Sequence, residues 1–265
     1  MLFYCCNSWG YGPTVPWFHQ PIDFMPQLIT FVSQTGNVMK TTLAAATAIE
    51  LVKQEIPVLA VDIDKEHRKL GSLATWAEDR KQLQPNRDQL TVKTRDDANA
   101  AFEKILASND DTVIILDCPS RASKATKAVS AAADLVVFPI VPGKKDAHLS
   151  LSTIHWLIEP SKHPNVSDDD EDLVDPKRIA IVLTRCMTAY EVSDLKQWLK
   201  DSSPYSNDFT IISPALMEKP SYRKAIGKGL AITEAQPFSL QLPARAVVNG
   251  IIDCLTTTVL EDAAA

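Results

Sequence analysis

Short apolar segments alternate with longer stretches of helical periodicity along most of this chain of 265 residues. The continuous apolar character of the short segments predicts strands buried on both faces, as in a parallel sheet. The predicted strands are 28–32, 57–62, 112–117, 134–140, 178–184 and 209–212. The predicted helices are 41–55, 97–107, 121–132, 146–159, 190–200 and 244–260. This alternation indicates an α/β fold with a doubly wound, mostly parallel sheet flanked by helices.

The same alternation continues without an evident linker, so we expect a single domain over residues 28–265. Residues 1–27 show no periodicity and are rich in Trp, Gly and Pro, which predicts an irregular N-terminal extension, with a functional arm as the alternative. The polar segment 160–177 carries an acidic run at 168–172. Since this run lacks the glycine turn and spaced ligands of a calcium loop, we interpret it as a solvated loop rather than a cation site.

The composition of the chain excludes few classes of function. The formal net charge of −6 argues against a generally basic nucleic-acid binder, although it leaves room for a local basic patch. None of the five cysteines shows metal-ligand spacing, which favours reduced thiols in a cytosolic protein. No apolar run approaches the roughly 20 residues that span a membrane, so we expect no membrane segment.

The segment SQTGNVMKTT, residues 33–42, is the first candidate for chemistry. It follows the predicted strand 28–32 and precedes the alanine-rich stretch 43–52. A strand, a tight loop and a helix in this order build a phosphate-binding loop, because backbone N–H groups and the positive helix N-terminus then face the phosphates.

In such a loop, Lys40 reaches the β- and γ-phosphates, Thr41 binds magnesium and Gly36 forms the turn. The spacing alone is weak evidence. An ordinary helix start, capped by Thr35 or Asn37, is the alternative interpretation.

Aspartates end two of the predicted strands. Asp62 and Asp64 close the segment VLAVDID, and strand alternation places both on one side if the strand persists. Asp117 follows the apolar run VIIL and is placed to support a magnesium ion in the manner of P-loop NTPases. A pair of surface acids at a strand end is the alternative for Asp62 and Asp64. Cys118 is expected to be a small buried residue rather than a nucleophile, since no histidine is evident as its base.

Together and in this order, these motifs resemble the ParA/MinD family of deviant P-loop ATPases, and most closely plasmid-partition ParA proteins. The resemblance extends over roughly residues 28–250. The family loop K-G-G-x-G-K-[ST]-T corresponds to Thr35-Gly36-Asn37-Val38-Met39-Lys40-Thr41-Thr42. Further matching segments are VDIDKEHRKLGSLATWAEDR with its tryptophan helix, LDCPSRASKATKAVSAAADLVVFPIVPGKKDAHLS, LTRC at 183–186 and SYRKAIGKGLAITE at 221–234.

The loop departs from the family pattern at three positions. Thr35 replaces the signature lysine that reaches across the dimer, and Asn37 and Met39 replace glycines. Asparagine tolerates a left-handed backbone, whereas the side chain of Met39 stands where the backbone must approach phosphates. We expect strain of about 1–3 kcal/mol per misplaced residue and nucleotide binding weakened roughly ten- to a hundredfold.

The resemblance implies ATP and Mg2+ as cofactors. It assigns residues 35–42 to the nucleotide, Thr41, Asp62 and Asp117 to the metal, and Asp64 and Lys40 to catalysis. It also implies an ATP-dependent homodimer, a centromere-binding adaptor as partner, and a bacterial cytoplasmic, nucleoid-associated location.

Nonspecific DNA binding is a further implication. The basic cluster Lys219, Arg223, Lys224 and Lys228 offers phosphate contacts for it, with a solvated helix face as the alternative.

Two alternative functions are compatible with the same fold. One is a pseudo-ATPase scaffold with a degenerate loop, and the other is a MinD-like positioning protein at a membrane. The ending GIIDCLTTTVLEDAAA is acidic and lacks the basic amphipathic helix that would favour the membrane alternative. A guanine-specific NTPase is disfavoured because we find no N-K-x-D stretch.

Overall fold

The structure is a computed structural model that describes residues 27–63, 72–94, 112–120, 124–158 and 178–262. The predicted helix 97–107, the acidic segment 160–177, residues 1–26 and the candidate catalytic Asp64 lie outside these residues. The expected division into an extension and one domain therefore stays a prediction.

A parallel β-sheet forms the centre of the molecule. Its strands are β1 (Gln27–Phe31), β2 (Val58–Asp62), β3 (Val92–Thr94), β4 (Val113–Asp117), β5 (Leu135–Ile140), β6 (Ile179–Cys186), β7 (Thr210–Ile211) and β8 (Leu216–Met217). The order across the sheet is β3-β2-β4-β1-β5-β6-β7, and β8 pairs with β6. All strand pairs in the described residues are parallel, which confirms the predicted fold class.

Helices cover the sheet. They are α1 (Lys40–Lys53), α2 (Leu73–Leu83), α3 (Lys124–Ala131), α4 (Lys144–Ile158), α5 (Ala189–Ser202), α6 (Pro220–Ile226) and α7 (Gln241–Asp262). Helix α1 ends two residues before the predicted boundary because Glu55 adopts a left-handed φ of 63°. The amide of Ile56 then bonds back to the carbonyl of Leu51 and closes the last turn.

Alternate residues of the central strands enter two separate hydrophobic cores. In β4, Val113 and Ile115 pack on one face with α1 and α7, whereas Ile114 and Leu116 pack on the other with α4. This double burial explains why the strands read as continuous apolar runs. Since parallel strands all end at one edge, the C-terminal ends of β1, β2, β4 and β6 lie together there.

Candidate nucleotide-binding site

The loop between β1 and α1 has a left-handed backbone at two residues, Asn37 (φ 62°) and Met39 (φ 69°). At Gly36 φ lies outside the left-handed range, and an added Cβ would meet no atom within 4 Å. The two left-handed positions of the loop, which glycine would adopt without strain, are therefore occupied by an asparagine and a methionine. A left-handed backbone costs an ordinary residue such as Met39 about 1–2 kcal/mol.

The simpler interpretation of this segment, a helix start capped by Thr35 or Asn37, is wrong. The N-cap of α1 is Met39, which makes no side-chain capping bond. The hydroxyl of Ser33 instead donates to the carbonyl of Thr35 at 2.7 Å and holds the turn before the helix. No capping side chain therefore defines the start of α1.

Lys40 and Thr41 both contact Asp117. The ammonium of Lys40 lies 2.9 Å from Oδ1 of Asp117, and the hydroxyl of Thr41 donates to Oδ2 at 2.6 Å. Lys40 is 8% exposed and Asp117 4%, so the ion pair is shielded from water. The start of α1 and the end of β4 therefore bring together the three residues that the sequence assigned to phosphate and metal.

Asp62 lies on the neighbouring strand. It is the register partner of Asp117, because β2 and β4 run parallel side by side. Oδ2 of Asp62 accepts a hydrogen bond from the amide of Ala74, at the positive N-terminus of α2. Two carboxylates thus end adjacent strands at one edge of the sheet, as the sequence predicted for Asp62 and Asp117.

Cys118 is buried next to this cluster. Burial raises the pKa of its thiol to about 12, which the charge of Lys40 counteracts only in part. The thiol is therefore protonated at neutral pH. This agrees with the prediction that Cys118 is a small buried residue and not a nucleophile.

A cavity of about 250 Å3 opens beside the loop. Residues 37–42 line one wall, and Glu218, Lys219, Tyr222 and Arg223 line another. The first residues of the segment SYRKAIGKGLAITE, residues 221–234, which we call the late motif, are thus brought to the loop although more than 170 residues separate them in sequence. The cavity and the left-handed loop together have the form expected of a phosphate site.

The predicted basic cluster surrounds helix α6. Lys219, Arg223, Lys224 and Lys228 are all exposed, while Tyr222 and Ala225 pack inward. One guanidinium nitrogen of Arg223 lies 3.1 Å from Oε1 of Glu218, so part of the positive charge is offset. The cluster is accessible to a phosphate backbone, and its role stays a prediction.

The rest of the late motif has a structural role. The guanidinium of Arg80, in α2, is fully buried and donates to both carboxylate oxygens of Glu234, at 2.7 and 3.1 Å. It also donates to the carbonyl of Gly229 at 3.0 Å. A Cβ on Gly229 would lie 2.6 Å from Cα of Arg80, which explains the glycine. The contacts of Gly229 and Glu234 with Arg80 therefore hold α2 against the end of the late motif.

Two residues of the site escaped the sequence predictions. Arg185 donates through Nη1 to the carbonyl of Asn37 at 2.9 Å and through Nε to Oε2 of Glu218 at 2.8 Å. Thr184, its neighbour in β6, donates to the carbonyl of Val38 at 3.0 Å. The stretch LTRC marked where β6 ends, but gave no signal that its side chains hold the loop.

No helix in the described part of the chain is both long enough and apolar enough to span a membrane. Within the same residues, no group of three or more His, Cys, Asp or Glu side chains is arranged to hold a metal.

No protein-family profile matches the chain. A curated relative, Protein ParA of Rhizobium radiobacter, is 25% identical over 201 residues, which cover 74% of this chain and 80% of the relative. This similarity extends over most of both proteins.

Solved structures share the fold. McdA of Cyanothece, solved as a variant in complex with ATP, has a TM-score of 0.61 and 15% identity, over 88% of this chain and 97% of that one. The cell division protein MinD of Aquifex aeolicus has a TM-score of 0.59 and 17% identity, over 86% and 97%. The ParA of pNOB8, bound to nonspecific DNA, has a TM-score of 0.52 and 15% identity, over 86% and 99%.

The structural matches alone establish the fold. The curated relative adds sequence similarity over most of the chain, and the loop, the strand-end aspartates and the late motif occur in the family order. The chain is therefore similar in sequence to a ParA protein over most of its length, and it shares its fold with solved McdA, MinD and ParA structures.

Proposed function

We propose that this protein is a ParA-like ATPase that acts in plasmid or chromosome partition. The observation that carries the proposal is the contact of Lys40 and Thr41 with Asp117 beside the cavity. Lys40 binds the β- and γ-phosphates, Thr41 and Asp117 hold the metal together with Asp62, and Asp64 orients the attacking water. Residues 35–42 form the nucleotide loop.

The residues present fit ATP and Mg2+. Left-handed Asn37 and Met39 give the loop the curvature of a phosphate cradle, and the cavity of about 250 Å3 adjoins it. Hydroxyl and carboxylate oxygens are the ligands that magnesium prefers, and one or two carboxylates suffice because nucleotide phosphates complete its coordination. Bound magnesium would neutralise the charge that develops on the transferred phosphoryl group.

The partition role requires more than nucleotide. We propose that ATP favours a homodimer, that the dimer binds DNA nonspecifically through Lys219, Arg223, Lys224 and Lys228, and that a centromere-binding adaptor is the partner. The exposure of these four side chains supports this, as does the nonspecific DNA in the pNOB8 ParA structure. In this proposal the protein works in the bacterial cytoplasm, on the nucleoid.

Phosphate release from Mg-ATP tests the enzymatic part. We expect slow turnover in the wild type and none in Asp64→Ala, which should still bind ATP. Asp79→Ala, which removes an exposed acid of α2, should retain the wild-type rate. Equal turnover in the wild type and Asp64→Ala would show that the catalytic assignment is wrong.

Binding of nonspecific duplex DNA in the presence of Mg-ATP tests the DNA part. Lys224→Glu/Lys228→Glu should weaken binding and flatten its salt dependence, because fewer phosphates are then neutralised. Lys144→Glu/Lys145→Glu, an exposed pair at the start of α4, makes the same change of net charge and should have a smaller effect. Equal losses in both double variants would count against α6 as the DNA contact.

A pseudo-ATPase scaffold of the same fold is the second candidate. It is favoured by Met39, which stands at a glycine position and packs its partly buried side chain against the hydrophobic core. Thr35, which stands in place of the signature lysine, also favours the scaffold. In this case the protein would bind its partners without turnover.

A further inference from the structure

Arg185 connects the phosphate loop to the segment before α6. It is the penultimate residue of β6, and its own backbone is left-handed, with φ of 56°. One arm of its guanidinium reaches the carbonyl of Asn37 at 2.9 Å, and Nε lies 2.8 Å from a carboxylate oxygen of Glu218. A single side chain therefore spans the distance between the loop and the opposite wall of the cavity.

Arg185 contacts the part of the loop whose backbone is left-handed. Asn37 and Met39 are left-handed without being glycines, so an unsupported loop would relax toward ordinary φ values. Arg185 fixes the carbonyl of Asn37, and Thr184 fixes that of Val38. In a trans peptide the C=O and N–H point in opposite directions. Holding these two carbonyls toward β6 therefore turns the following N–H groups, of Val38 and Met39, away from it.

Arginine suits this task better than other residues. Its planar guanidinium offers several donors in fixed directions, so it can serve a carbonyl and a carboxylate at once. Glu218 is 14% exposed at its side chain, and its bond to Arg185 fixes where the guanidinium points. Lysine could neutralise Glu218 but would place one ammonium where two separate contacts are made.

We propose that Arg185 is a positioning residue that holds this glycine-poor loop in its phosphate-binding conformation, with Glu218 orienting its guanidinium. The proposal rests on the proposed function where it concerns phosphate binding. It adds that the loop is kept in shape by a side chain of β6 in place of the glycines it lacks.

Calorimetric titration with Mg-AMPPNP tests the effect on nucleotide. Arg185→Asn removes the guanidinium but leaves a residue that tolerates the left-handed backbone, and it should weaken binding by about tenfold. Arg185→Lys should fall between this variant and the wild type. Arg178→Gln is the matched control, because Arg178 flanks the other end of β6 and donates to the carbonyl of Cys254. It should retain wild-type affinity.

The decisive comparison repeats Arg185→Asn in a Met39→Gly background. Glycine adopts the left-handed conformation without strain, so the loss caused by Arg185→Asn should shrink to less than about threefold. An equal loss in both backgrounds, or no loss in either, would overturn the proposal. A residue that merely stabilised the whole fold would give the equal loss.

A nucleotide-free measurement separates this proposal from the proposed function. In NMR spectra of the labelled protein, Arg185→Asn should displace or broaden the backbone signals of residues 36–39, and Arg178→Gln should leave them in place. If the wild type bound no AMPPNP, the proposed function would fail and these spectra would still decide the role of Arg185. Unchanged Cα shifts at Asn37 and Met39 in Arg185→Asn would overturn it.

Discussion

The ammonium of Lys40 lies 2.9 Å from a carboxylate oxygen of Asp117, and both side chains are almost completely buried. The lysine that the motif assigns to phosphates thus has an anionic partner within the protein. A phosphate group at the loop has to compete with Asp117 for this cation. We expect nucleotide binding to be coupled to a rearrangement at the end of β4.

The first prediction concerns the stability of this pair without nucleotide. Lys40→Ala should lower the free energy of unfolding by about 3 kcal/mol, because Asp117 is left buried without its cation. Lys144→Ala also changes the first residue of a helix but removes an exposed lysine, and should stay within about 0.5 kcal/mol of the wild type. Chemical denaturation measures both. Similar values for the two variants would mean that the ion pair contributes little.

The second prediction compares two glycines of the family motifs. Gly229→Ala should destabilise the protein by more than about 2 kcal/mol, since φ is +68° and the new Cβ would meet the backbone of Arg80. Gly36→Ala should change stability by less than about 0.5 kcal/mol, because its Cβ would have open space. Thermal melts of both variants provide the measurement. A tolerated Gly229→Ala would contradict the close contact between α2 and the late motif.

The third prediction concerns acid stability. Burial alone raises the pKa of Glu234, but hydrogen bonds from Arg80 and the Ala231 amide, with the charges of Arg80 and Lys53, bring it down to about 2 from 4.5. Because the folded pKa is the lower one, the stabilisation is complete above pH 4.5 and is lost as the pH falls toward 2. The full contribution is about 3 kcal/mol.

Unfolding free energies measured from pH 7 down to pH 2 check this. Glu234→Gln should be less stable at pH 7 and should lose less stability on acidification than the wild type. Glu78→Gln removes an exposed glutamate of α2 and should follow the wild-type curve. If Glu234→Gln kept the full acid slope, another carboxylate would be responsible for it.

Much of the fold could be predicted because parallel strands covered on both faces are continuous apolar runs. Strand β4 was expected over 112–117 and spans Val113–Asp117. Strands β3 (Val92–Thr94) and β8 (Leu216–Met217) were missed, since runs of two or three residues are too short to show a periodicity.

The site could be predicted only where it depends on the ends of strands. Lys40, Thr41 and Asp117 meet because β1 and β4 are parallel neighbours and end at the same edge of the sheet. The contact of Arg185 with Asn37 joins residues 148 apart in sequence and depends on a left-handed arginine. Neither the spacing nor the residue types indicate it. Nothing in the sequence indicates that Glu234 pairs with Arg80 either, because the two residues lie 154 positions apart in the chain.

The fourth prediction concerns the two unusual loop residues. If the loop is a weakened working site, Met39→Gly should tighten ATP binding by about 1–3 kcal/mol, the size of the strain removed. Thr35→Lys should act mainly on dimerisation and turnover, because its target is the nucleotide of the partner subunit. Calorimetry and thermal melts of both variants test this. Lower thermal stability of Met39→Gly without a gain in affinity would favour the scaffold.

The central claim is that residues 35–42 and Asp117 form a nucleotide site, and calorimetric titration of the purified protein with Mg-ATP tests it most directly. We predict measurable, weak binding to the wild type and to Lys144→Ala, and none to Lys40→Ala, because charge-assisted contacts to phosphate are among the strongest in proteins. Absence of binding to the wild type, or equal binding to Lys40→Ala, would contradict the claim.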